Sequence, residues 1–600
     1  MRRAHEMPFG AALAEDGARF RLWAPAVREV KLVLGEGAAA RDIAMRAEDG
    51  GWHAVQVPGV AVGTSYAFRV DAGDPVPDPA SRGQRHDVGG PSLVVDPRAF
   101  EWPDDAWRGR PWHEAVVYEL HIGTFTPEGT FRAAEARLER LAALGVTALE
   151  VMPVADFAGR RNWGYDGALP FAPDSAYGTP GDFKHFVAAA HAHGLMVLLD
   201  VVYNHFGPDG NFLHRYAPQF FNDAHQTPWG AAINYDGEHS HAVRDFFVHN
   251  ALYWVEEFHL DGLRLDAVHA IADDSPRHIV TEIAHALQAG PGRERHVHLV
   301  LENDRNQSRF LRGADRATAQ WNDDWHHAAH VLATREADGY YAPFAARPVM
   351  HLGRALAEGF AWQGEPWPLR EGEARGEPSA DLAPLAFMPF LQNHDQVGNR
   401  ALGERLAALA DPAALRLLTA TLLLSPAIPL LFMGEEFAAS APFLYFCDFH
   451  GELAKAVREG RRREFAAFER FRDPRSREAI PDPGAEETFQ RSKLDWREAH
   501  SGEHARTLAH YHELLAKRAQ RIVPHLAGDR FAARFTTAGD TGLAVDWTLG
   551  DGTRLHLRAN FSAVEARGLV PAAGEPLHAE GGAGDGRFPA WSGLWTLEAG

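Results

Sequence analysis

The chain is 600 residues long, with 46% apolar and 24% charged residues, which is enough apolar material for several buried cores rather than one. Its 60 Lys and Arg stand against 81 Asp and Glu, and a formal net charge of −21 repels nucleic acid and anionic membrane surfaces, so neither is expected as a partner. The single cysteine, Cys447, excludes an intrachain disulfide and a thiolate metal cluster and is expected to be packed.

The opening Met1-Arg2-Arg3-Ala4-His5-Glu6 has no apolar run behind it. The stretch from Leu422 to Phe432 is the most apolar but carries two prolines and is far shorter than the ~20 residues of a membrane span. It reads as a helix end feeding a buried strand. These features give the expectation of a soluble cytoplasmic protein; a homo-oligomer is compatible with them.

Within residues 1–100 short strands are expected at Arg19–Trp23, Val30–Leu34, Trp52–Val57 and Tyr66–Val70, separated by Gly and Pro. That spacing suggests a β-sandwich. A turn-rich stretch from Asp74 to Pro91 follows.

From about residue 112 the texture changes. Val116–His121 is a strand with almost no alternation. Helix is expected over Ala133–Leu144, ended by Gly145, and then strand over Val146–Met152. The pattern repeats with a helix Phe183–His193 before strand Met196–Val202, a helix Arg244–Glu257 before Gly262–Asp266, and a helix Ile279–Gln288 before His298–Glu302. Phe390–Gln392 reads as a later strand. Apolar strands alternating with helices indicate a parallel sheet, and five or more such units favour a closed (β/α)8 TIM barrel, expected over residues 101–525 with inserted loops and a helical pair near residues 503–519. Residues 526–600 alternate as antiparallel strands do, at Phe531–Phe535, Leu543–Trp547 and Leu555–Phe561, and predict a small C-terminal β domain. The fold class is therefore multidomain, a central barrel between two β domains.

Barrel enzymes work at the C-terminal ends of their strands. Polar residues stand at four such ends: Asp200 with Asn204 and His205, Arg264 with Asp266, Glu302 with Asn303 and Asp304, and Asn393, His394 and Asp395 after Gln392. Each alone admits a helix cap, a structural ion pair or a packed histidine. Their coincidence on one rim points to a site. Acids converging with histidines and an arginine, without a cysteine or a phosphate loop, suit glycoside cleavage, whose transition state is oxocarbenium-like. One carboxylate attacks the anomeric carbon while another, kept protonated, gives its proton to the leaving oxygen. Arg264, two residues from Asp266 on the same strand face, would keep Asp266 ionised.

The segments Asp200–His205, Gly262–His269, Glu302–Asp304 and Asn393–Asp395 together resemble the four ordered regions of the α-amylase superfamily. The resemblance implies Asp266 as nucleophile, Glu302 as general acid/base and Asp395 as a transition-state stabiliser gripping sugar hydroxyls. It implies that His205, Arg264 and His394 line the subsite where the bond breaks, and a retaining reaction with the two main carboxyls about 5–5.5 Å apart.

Further segments, Trp163–Gly167, Ala176–Pro180, His205–Asn211, Trp321–His327, Leu391–Arg400 and Gly434–Phe437, resemble the trehalose-releasing members of that superfamily. They imply an α-1,4 cut beside the terminal trehalose of a malto-oligosyltrehalose or related α-glucan. The expected sugar-binding set is Tyr165, Asp166, His205, Arg264, His269, Trp321, Asn322, Asp323, Asp324, His326, His327, Gln392, Asn393 and His394, with Tyr165 under the glucose on the non-reducing side and Trp321 near the leaving side. No cofactor or metal is expected. Asp324–His327 lacks a ligand set, and Asn204, a calcium position in many superfamily members, has no acidic calcium loop here. A branching or debranching enzyme shares the three acids and the sandwich and is the nearest alternative. A non-catalytic glucan-binding barrel is the more distant one.

Overall fold

The computed structural model describes residues 1–227, 230–467, 469–584 and 586–600. Among these residues, eight parallel strands form the central sheet: β1 (Val117–Leu120), β2 (Ala148–Val151), β3 (Met196–Val201), β4 (Gly262–Leu265), β5 (His298–Leu301), β6 (Ala319–Trp321), β7 (Phe387–Met388) and β8 (Leu430–Phe432). Successive strands pair in order and β8 returns to β1. A parallel bridge between Phe390 and Leu430 closes the ring. Every residue of these strands is buried, which explains the missing alternation in their sequences.

The barrel interior changes character along its axis. Val117, Ala148, Met196, Leu198, Val300 and Ala319 fill the lower part. Above them, two residues further along their strands, stand Glu119, Glu150, Asp200 and Glu302, with Arg264 opposite Asp200 in the register. The charged layer thus lies at the C-terminal end.

The connecting helices begin and end where local chemistry directs. Helix Pro180–Ala192 starts on a capping box in which Thr179 accepts from the Asp182 N–H and Asp182 accepts in return. Helices Ser240–Glu257 and Ile279–Ala289 fall where expected. Three expectations need correction. The stretch expected as one helix over 133–144 is two, Phe131–Glu135 and Leu138–Leu144, with Ala136 and Arg137 as the caps between them; Gly145 (φ 110°) does end the second. The strand expected at Phe390–Gln392 is the short β7 at Phe387–Met388, with Pro389 following and only Phe390 bridging onward. The helical pair near 503–519 is one 20-residue helix, Gly502–Arg521.

The N-terminal part is two four-stranded antiparallel sheets. One orders Gly10–Ala14, Gly17–Trp23, Trp52–Pro58 and Arg46–Glu48; the other Arg41–Ala44, Val30–Leu34, Ser65–Val70 and Ser92–Leu93. Phe20, Leu32 and Phe68 are fully buried between them. Phe9 packs edge-on against Phe246 of the barrel, so the sandwich braces a barrel helix. The C-terminal part is a five-stranded antiparallel sheet, Ala532–Ala538, Gly542–Thr548, Arg554–Asn560, Ser592–Glu598 and Glu575–Glu580 in spatial order. The Trp547 indole donates to the Leu356 carbonyl at 2.9 Å and fastens this sheet to the helix Pro348–Glu358. Cys447 is buried. Among the described residues no helix is long and apolar enough to cross a membrane.

Candidate active site

Arg264 is the centre of the charged layer. Its side chain is fully buried, and its guanidinium donates to Asp200 Oδ2 (2.7 Å), Asp266 Oδ1 (2.9 Å) and Glu302 Oε2 (3.0 Å). Three carboxyls from β3, β4 and β5 are thereby drawn to one cation. The indole of Trp321 on β6 lies 4.0 Å beneath the guanidinium and walls it from below.

Asp266 follows β4 directly. Its Oδ2 accepts from Asn204 Nδ2 at 2.7 Å, and the same amide donates to the Asp266 carbonyl at 2.8 Å. Burial alone would raise its pKa, but Arg264, His205 and the Asn204 amide outweigh it and hold the carboxyl below its ordinary value. Glu302 follows β5, and its Oε2 accepts from Arg264 and from the Ala267 N–H at 2.8 Å. Burial pushes this carboxyl well above the ordinary glutamate range, and Asp266 and Asp395 add to the effect, while Arg264 only partly offsets it. One positive charge shared by three carboxyls cannot keep all of them ionised. Since Oε2 is engaged by two donors, the proton belongs on Oε1. Asp200 carries the next share: burial, opposed by Arg264, pushes it up to about 6. The carboxyls of Asp266 and Glu302 are thus pushed in opposite directions, the arrangement that acid/base division calls for.

Asp395 sits in the first turn of the short helix His394–Gly398, where the side chain of Asn393 caps by accepting from the Gln396 N–H. Its Oδ1 accepts from Asn399 Nδ2 at 3.1 Å and lies 3.4 Å from His394 Nε2. Side-chain exposure rises from 11% at Asp266 through 16% at Glu302 to 36% at Asp395, so the third acid reaches furthest into the opening. Tyr165 stacks on His394 with centroids 5.0 Å apart and donates its hydroxyl to Asp200 Oδ2 at 2.6 Å. His205 meets the side-chain amide oxygen of Asn204 through Nδ1 and the Tyr165 backbone carbonyl through Nε2. Asp323 accepts from Gln396 at 3.2 Å, and burial pushes its carboxyl up to about 7. Asp166 accepts from Asn162 at 2.7 Å, and the His269 ring meets the Asp304 N–H at 3.4 Å.

The structure therefore brings Asp266, Glu302, Asp395, Arg264, His394, Tyr165, His205 and Asp323 into one cluster at the C-terminal end of the barrel. Other residues expected at the sugar are turned to the scaffold. Trp321 is 1% exposed beneath Arg264 rather than at a leaving-side surface, because its strand position points into the barrel. Asn322 caps the helix Asp323–Thr334 and donates to the Gly359 carbonyl. Asp324 is fully buried against Arg375 and the Ala361 and Trp362 N–H groups. His326 meets the Leu391 carbonyl at 2.7 Å, and His327 packs among Tyr341 and Phe344. Gln392 accepts from the Leu406 N–H, and Asn393 is the helix cap already described. The fold uses these residues to shape the loops that carry the acids.

Glu119, Glu150 and Ala267 also belong to this cluster, although they are not among the residues expected there from the sequence. Glu119 on β1 accepts from the His394 Nδ1 (2.5 Å) and backbone N–H (3.0 Å). Glu150 is buried beside it. The available signal was an acid inside an otherwise apolar strand, in Val117-Tyr118-Glu119-Leu120 and Ala148-Leu149-Glu150-Val151.

Residues 97–227 match the family described as the alpha amylase catalytic domain, residues 8–99 carbohydrate-binding module 48, the isoamylase N-terminal domain, and residues 530–595 a domain of unknown function, DUF3459. The malto-oligosyltrehalose trehalohydrolase of Deinococcus radiodurans is 41% identical over 96% of this chain and 93% of its own length. That of Saccharolobus solfataricus is 42% identical over 82% of this chain and 84% of its own. A solved Salmonella typhimurium structure, described provisionally as an alpha amylase, shares 49% identity and a TM-score of 0.92, covering 99% of this chain and all of that one. With the acids of three regions gathered on Arg264 and that of the fourth beside His394, and relatives of this similarity along nearly the whole length, the chain belongs to the malto-oligosyltrehalose trehalohydrolases of the α-amylase superfamily.

Proposed function

We propose that the site hydrolyses the α-1,4 bond next to the terminal trehalose of a malto-oligosyltrehalose by double displacement, with Asp266 as nucleophile, Glu302 as acid/base and Asp395 as the third carboxylate. The observation that carries this reading is the shared guanidinium of Arg264, which holds Asp266 ionised while Glu302 stays protonated beside it.

In the first step a carboxylate oxygen of Asp266 bonds to the anomeric carbon as the bond to the glycosidic oxygen breaks. Glu302 Oε1 gives its proton to that oxygen, and trehalose leaves. In the second step Glu302, now a carboxylate, takes a proton from water. The water oxygen bonds to the same carbon, the ester to Asp266 breaks, and a malto-oligosaccharide of α configuration is released. Positive charge that develops on the ring in the transition state of each step is countered by Asp266 and Asp395. Asn204 supports the nucleophile, since its amide donates both to the Asp266 carboxylate and to its carbonyl.

Incubation with malto-oligosyltrehalose and, separately, with maltopentaose tests the assignment. Rapid free trehalose from the first and slow cleavage of the second support it. A branched product from amylose instead would favour a branching activity.

A further inference from the structure

Glu119 lies at the C-terminal end of β1, is 1% exposed, and belongs to none of the three reacting carboxyls. Both its oxygens are used on one residue. Oε1 meets His394 Nδ1 at 2.5 Å and Oε2 accepts from the His394 backbone N–H at 3.0 Å. An ionised carboxylate only accepts, so His394 Nδ1 must carry a hydrogen. On the other side of the ring Nε2 lies 3.4 Å from Asp395 Oδ1, also an acceptor. A ring held by one carboxylate and in ion-pair distance of a second is favoured as the cation.

We propose that Glu119 is a positioning residue of the hydrolysis: it holds His394 as an imidazolium whose charge lies beside Asp395, and so sets the place of the third carboxylate. This rests on the reading of Asp395 and His394 as sugar-facing residues.

The groups that face His394 come from several elements. Glu119 on β1 and Asp395 on its own helix are the anions in contact. Arg264 on β4 is the opposing cation, and Glu150 on β2 and His121 after β1 lie further off. Tyr165 covers one face, Trp163 meets the ring edge-on at 5.5 Å, and Trp321 lies at 6.0 Å. Burial and Arg264 disfavour the cation, but Asp395 and Glu119 outweigh them and raise the imidazole to about 9. Glu150 adds no charge of its own. Burial raises its carboxyl well above the ordinary range, which leaves it neutral beside Glu119.

With the Glu119 charge removed, His394 would lose its second proton near neutrality and meet Asp395 as an uncharged ring. The third carboxylate would then face a neutral ring where it had a cation. The loss should appear in turnover rather than in ground-state affinity, and acid should reverse it by restoring the second proton.

Two measurements test this. In the wild-type enzyme labelled with ¹⁵N-histidine, with the His394 signals assigned by comparison with His394→Gln, both ring nitrogens should be protonated up to about pH 8. A neutral single tautomer at pH 7 would overturn the proposal whatever the enzyme's substrate proves to be. In Glu119→Ala, kcat should fall about tenfold or more at pH 8 but lie within about threefold of wild type at pH 5.5, with KM changed less than about threefold. An equal loss at both pH values, or none, would also overturn it.

Discussion

The backbone N–H of Ala267, the residue after Asp266, donates to Oε2 of Glu302 at 2.8 Å, so Asp266 and Glu302 are coupled through main chain as well as through Arg264. To make that bond Ala267 adopts a left-handed conformation (φ 41°, ψ 49°), unfavourable for a residue with a side chain. Replacing Ala267 by valine should cost about 1–3 kcal/mol of stability and lower kcat at least about tenfold, because a β-branched residue resists this geometry. Ala267→Gly should stay close to wild type. Thermal unfolding and steady-state kinetics on the pair provide the check.

Arg264 is the only cation that donates to Asp200, Asp266 and Glu302 among the described residues. Arg264→Met leaves these carboxyls facing one another without it. A loss of about 3–5 kcal/mol is expected, because a buried ion group is broken rather than replaced as a whole. Denaturant unfolding at neutral pH measures it. Arg264→Lys should recover only part, since one ammonium cannot reproduce the fork that reaches three partners.

The pH dependence follows from the opposite shifts of the two acids. Asp266 must be ionised and is held below the ordinary aspartate value, so the acid limb of kcat/KM should lie at low pH. Glu302 must be protonated and is held well above the ordinary glutamate value, so activity should persist through neutrality and fall only as Glu302 loses its proton. An alkaline limb near the ordinary glutamate value would contradict the assignment.

Asp266→Ala and Glu302→Gln should each reduce turnover by more than about a thousandfold while oligosaccharide binding survives. Calorimetry with a malto-oligosaccharide separates the two effects. Near-normal turnover in either variant would refute the role given to that residue.

Much of this architecture was legible in the sequence because it rests on patterns that burial imposes. The barrel strands read as continuous apolar runs because both faces are covered, and the two flanking β domains alternate because one face of each sheet is not. The acids at the ends of β3, β4 and β5 were visible because strand ends position them. Supporting groups were not legible in the same way. Glu119 meets His394 across 275 positions of sequence, a pairing that only barrel closure creates. Trp321 and His326 looked like sugar-binding residues by their company in the chain, yet one points into the barrel and the other is held by the Leu391 carbonyl. A motif marks which segments are shared; which side chains face the groove is decided by packing.

The most direct test of the catalytic assignment is to trap the glycosyl–enzyme ester. Glu302→Gln treated with an α-glucosyl fluoride bearing fluorine at the ring carbon that slows hydrolysis, then digested and sequenced by mass spectrometry, should carry the sugar on the peptide containing Asp266, at that side chain. A label on a different residue, or hydrolysis of natural substrate giving the β-anomer, would contradict the account.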